Sequence, residues 1–96
     1  MSRTGTIIMK RTEYLQIERK PAVLQRIGLS RSTLHSKIQQ GLWCPPISLG
    51  ARAVGFIKYE TDELITALIN GHTPDEIRDL VSMLLEERMS RVGVKL

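Results

Sequence analysis

The chain has 96 residues, room for one small domain with a modest core. Its single cysteine, Cys44, and two widely separated histidines, His35 and His72, exclude an intrachain disulfide and match no Cys/His zinc spacing. No apolar run approaches the roughly eighteen residues of a membrane span, and Thr6–Met9 ("TIIM") is too short for the apolar region of a secretion signal. A cytoplasmic, non-membrane protein without a cofactor is expected. The net charge of +4 is unevenly spread: residues 1–58 hold ten Lys/Arg against two acids, Glu13 and Glu18, whereas residues 59–96 hold four bases against eight acids. That asymmetry points the first half toward a polyanion, with solubility patterning as the alternative.

In chain order, residues 1–13 carry Gly, Ser, Thr and basic residues without a helical period and read as a flexible basic arm. Tyr14–Glu18 alternates weakly and suits a short extended segment. A first helix is predicted from near Lys20, with Pro21 in the turn that needs no backbone donor and Val23, Leu24 and Ile27 on one stripe. Gly28 ends it, because a C-terminal cap favours the left-handed conformation open to glycine. Ser30 is a good N-cap for a second helix over Arg31–Gln40, which Gly41 stops. Two helices joined by only Gly28, Leu29 and Ser30 predict a helix-turn-helix.

Pro45 and Pro46 then forbid helix, and two β-prone runs, "ISL" and "AVGFI", flank Gly50–Arg52 as a hairpin with Arg52 at or beside its tip. Gly55 marks either a bulge or a close backbone approach. A third helix is predicted over Tyr59–Asn70, its early acids Glu60, Asp62 and Glu63 suited to the positive helix end. Thr73, Pro74 and Glu76 form a capping box that opens a fourth helix. That helix, over 73–89, is amphipathic, with Ile77, Leu80, Val81, Leu84, Leu85 and Met89 on one face. Residues 90–96 read as a frayed tail. The predicted fold is therefore mainly α with a small β-hairpin wing, a single domain over 14–89 with about four helices.

The second helix carries the functional signal. On a 100° wheel Leu34 and Ile38 face the first helix, while Ser32, Ser36 and Gln39 lie nearly opposite. Thr33 and Lys37 flank one edge, and Arg31 and His35 the other. In a helix-turn-helix the first turn of this helix enters the major groove, where short hydroxyls allow close approach and an arginine can read guanine or hold a phosphate. A helix built for stability alone would carry Ala, Glu and Lys on its outer face rather than Ser and Thr, although a merely solvated polar face stays open. Arg52 on the wing suits a phosphate strand or a narrow minor groove, and Arg19 and Lys20 suit phosphate clamps, Lys58 less so. A hairpin that only covers the core is the alternative there. Trp43 reads as a packing plug beneath the wing, Cys44 as a buried apolar residue and His72 as a turn residue. No nucleophile–base pair or glycine-rich phosphate loop stands out, so an enzyme is not expected.

"GLSRSTLHSKIQQG", followed by W, P, I, LG and "RAVGF" and an acidic helix start, resembles the AlpA family of phage-type regulators. These are small winged helix-turn-helix proteins related to MerR-like and excisionase DNA-binding domains. The likeness covers roughly Ile17 to Met89 and is most specific in "GLSRSTL" and "LGARAVGF". It departs at Cys44, where a proline is usual, and at His35, where many members carry tyrosine. The resemblance implies a sequence-specific DNA-binding transcriptional regulator of a prophage or integrative element, tied to integrase and excision control. Arg31–Gln40 would read the major groove and the hairpin around Arg52 would be the wing. It implies double-stranded DNA as partner, nucleoid association, a homodimer or DNA-assisted oligomer, and an integrase or RNA polymerase as protein partner. An excisionase-type architectural factor and a packaging adaptor that does not read DNA are the alternatives.

Overall fold

A computed structural model describes residues 15–92, with the side chains of residues 91 and 92 left aside. The basic arm and the last four residues of the tail lie outside the described residues. The elements in chain order are β1 (Ile17–Glu18), α1 (Lys20–Ile27), α2 (Arg31–Gln39), β2 (Ile47–Gly50), β3 (Ala53–Ile57), α3 (Lys58–Ile69) and α4 (Pro74–Val92). This is a winged helix-turn-helix, mainly α with a small antiparallel sheet.

Local chemistry sets the helix ends. Gly28 takes φ 70° and its amide donates to the Leu24 carbonyl at 2.8 Å, closing α1. Ser30 Oγ accepts the Thr33 amide at 3.2 Å, opening α2. At α4 both halves of the capping box form: the Thr73 amide donates to Glu76 Oε1 at 2.8 Å and the Glu76 amide to Thr73 Oγ1 at 3.2 Å.

The sheet has three strands rather than the two of a bare hairpin, in the order β1-β3-β2. The segment before α1 supplies the third, pairing Ile17 with Ile57 and Glu18 with Phe56. Gly55 proves to be a close approach and not the bulge. A Cβ there would collide with Ile17 Cγ2 and lie 3.0 Å from Leu49 Cδ1. The irregular register falls instead between Ser48 and Gly50. At the tip, Ala51 takes φ 41°, a left-handed value that an L-residue seldom adopts.

The core joins all four helices and the wing through Val23, Leu34, Trp43, Phe56, Leu64, Val81 and Leu84, among others. Trp43 is buried as expected, but the walls it shares with Leu68, Pro74 and Ile77 place it toward α3 and α4. Two expectations need correction. α4 runs on to Val92, and Met89 is 73 % exposed rather than part of the buried stripe. Arg88 occupies the stripe in its place, four residues after Leu84, and its guanidinium pairs with the buried Glu60. Among the described residues no helix is long and apolar enough to cross a membrane.

Candidate nucleic-acid interface

The interface begins with what α2 must bury. Leu34 is 1 % exposed and Ile38 packs half-buried on the core, so the remaining faces of this short helix are set by those two anchors. Arg31, Ser32, Thr33, His35 and Ser36 are all exposed, as is Gln39. Some of their hydroxyls have internal roles. Ser30 Oγ donates to Thr33 Oγ1 at 2.9 Å and lies 3.4 Å from Ser32 Oγ, which gathers three hydroxyls at the first turn. Gln40 Nε2 donates to Ser36 Oγ at 2.8 Å, leaving the Ser36 proton free to point outward. Short side chains with spare donors at a helix N-terminus can meet base edges or phosphate oxygens without a bulky spacer.

Charge pairing separates the basic residues into two groups. Arg26 donates to Asp62 Oδ1 through Nη1 and Nη2 at 2.8 and 2.6 Å, and its Nε lies 3.5 Å from Glu18 Oε2. Lys58 Nζ reaches the other oxygen of Asp62 at 3.1 Å. These two cations are compensated in place by Asp62, so neither is as available to an outside anion as an unpaired cation. Lys20, Arg31, Lys37 and Arg52 make no ion pair among the described residues. Uncompensated cations are those that can trade a mobile counterion for a phosphate.

The candidate residues do not all lie on one surface. Ser32 and Ser36 lie on the side of α2 opposite Leu34 and Ile38, Arg31 is exposed at its first turn, and Arg52 sits exposed at the wing tip. Arg19 belongs to the wing side: its Nε donates to the Val54 carbonyl at 3.1 Å, two residues along β3 from Arg52. That bond ties the start of α1 to the wing and leaves the two Nη groups as donors outward. Lys37 turns to the opposite flank, half-buried beside a pocket of about 90 Å³ walled by Trp43, Leu68, Pro74 and Ile77. His72 remains a turn residue, with Nδ1 3.1 Å from the Ala67 carbonyl.

The polar centre that the sequence reading missed lies inside. Arg88 Nη2 and Nε meet Glu60 Oε1 and Oε2 at 2.6 and 3.1 Å, and Nη2 also donates to the Pro45 carbonyl at 3.1 Å. Cys44 adjoins this pair, and its pKa is pushed up to about 12, first by burial and then by the Glu60 carboxylate. The spacing puts Arg88 on the apolar stripe of α4, which marks it as unusual, but nothing in the sequence names Glu60 as its partner.

A family model described as the prophage CP4-57 regulatory protein (AlpA) matches residues 16–68, more than half of the chain, from β1 to the last turn of α3. No curated protein and no solved structure matches the chain.

Proposed function

The chain belongs to the AlpA family of prophage regulatory proteins, and on that premise we propose that it regulates transcription by reading double-stranded DNA with α2 and holding the backbone with the wing. Arg31, Ser32 and Ser36 face the major groove in this reading, Arg52 takes a phosphate or enters the minor groove, and Arg19 and Lys20 clamp the flanking strand. Thr33 and His35 border the base-facing surface, and Lys37 reaches a phosphate from the far flank. The observation that carries the reading is the pairing of an exposed, hydroxyl-rich α2 N-terminus with cations that make no ion pair among the described residues. Control of integration and excision genes is the finer role we assign. One module of this size covers little DNA, so two copies are expected on a full site.

The test is a binding titration with the DNA flanking the gene at several salt concentrations. Binding that weakens steeply with salt is expected. Arg31→Ala should cost roughly 1–3 kcal/mol at a single base-pair position. Arg52→Ala should weaken binding to all sequences alike and flatten the salt dependence by about one unit. Absence of binding at low salt would remove the proposal.

A further inference from the structure

α4 lies wholly beyond the matched residues, yet two of its arginines hold both elements assigned to DNA. Arg78 Nε donates to the Gln40 carbonyl, at the C-cap of α2, at 3.0 Å, and its Nη1 is steadied by Asp75 Oδ1 at 3.2 Å. Gly41 follows with φ 77°, and a Cβ there would lie 3.9 Å from Arg78 Cγ, so the arginine stem runs along the turn. Arg88 donates to the Pro45 carbonyl, two residues before β2 begins.

Of these bonds, the one from Arg78 reaches α2 itself. Within the helix its packing anchors are Leu34 and Ile38, one turn apart on the same side. Two contacts along one line resist translation better than rocking of the helix about that line. The Ser30 cap organises the N-terminal end, and Arg78 holds the C-terminal end, where a cation also complements the helix dipole.

We propose that Arg78 is a positioning residue for DNA recognition. Through the Gln40 carbonyl it fixes the angle at which α2 presents Arg31, Ser32 and Ser36, so that α4 governs affinity without meeting DNA. This rests on the DNA-reading role of α2.

The test compares the wild-type chain with R78Q and R78K in DNA titrations across salt, and with amide hydrogen exchange on the free proteins. R78Q should bind roughly fivefold more weakly with an unchanged salt slope, the scale of one lost hydrogen bond. Its Gly41 and Leu42 amides, which close the α2 turn onto the Ile38 and Lys37 carbonyls, should exchange faster. R78K, which keeps the charge and a donor, should recover much of both effects. If circular dichroism shows R78Q unfolded, R78K alone decides, with a smaller loss of affinity at unchanged slope expected. Wild-type affinity in the variants overturns the inference, as does a loss accompanied by a salt slope lower by about one, which marks direct phosphate contact. A wild-type chain that binds no DNA overturns the reading beneath it as well.

Discussion

Arg88 and Glu60, 28 positions apart in sequence, close a two-pronged ion pair at 2.6 and 3.1 Å, with Glu60 only 2 % exposed. Burial works against the Arg88 cation, but the hydrogen bond and charge of Glu60 outweigh it and raise its pKa. The same guanidinium reaches Pro45, so one side chain joins α4, α3 and the turn that leads into the wing. Arg88→Ala should lower stability by about 3 kcal/mol, because it strands a buried carboxylate. The double variant Glu60→Leu/Arg88→Met should be milder than the single one, since no lone charge remains. Urea denaturation of the three proteins reads the order directly.

Gly55→Ala puts a methyl group against Ile17 Cγ2 and close to Leu49 Cδ1. β1 must then move off β3 or the methyl must overpack the sheet, at a cost of about 1–3 kcal/mol. The expected result is a lower Tm, with amide shifts at Ile17, Glu18 and Phe56 and little change in α4. Wild-type stability in this variant would contradict the close approach.

Cys44 should resist thiol reagents in the native state and react at a rate limited by opening of the core. Its raised pKa also sets a direction for alkaline stability. The folded chain holds the thiol proton more tightly than the unfolded chain, whose thiol titrates near 9.0. Its contribution is therefore complete below that pH and is lost as pH rises toward about 12. Cys44→Ser should remove the thiol titration from an alkaline denaturation series.

The α4 capping box gives an acid-side expectation. Glu76 accepts the Thr73 amide, and that bond holds its pKa below the ordinary 4.5. A depressed carboxylate stabilises the fold above its unfolded pKa and loses that effect as pH falls through the lower folded value. The Thr73 amide resonance should titrate in that acid window. Glu76→Gln should abolish this titration while leaving the α4 helix in place at neutral pH.

Much of the fold could be read from short-range chemistry. The α1–α2 junction follows from Pro21, Gly28 and Ser30, and the α4 start from Thr73, Pro74 and Glu76, because each cap is satisfied within a few residues. The pairing of Ile17 with Ile57 and of Glu60 with Arg88 was not legible, because each joins distant segments whose own patterns do not name a partner. Exposure of the α2 face followed from periodicity, since Leu34 and Ile38 fix the buried side. The surroundings of Arg19 and Lys37 did not follow. Arg19 engages Val54, and Lys37 stands beside Trp43, both set by tertiary packing.

The outer strands of the wing sheet have a consequence for crowding. β1 is two residues long, and β2 breaks register between Ser48 and Gly50, where Ser48 Oγ already accepts the Gly50 amide at 3.3 Å. An edge so short on one side and so irregular on the other makes a poor template for a neighbour's backbone. Under the proposed role on DNA, neighbouring copies would meet through side chains instead of knitting their wings into a continuous ribbon.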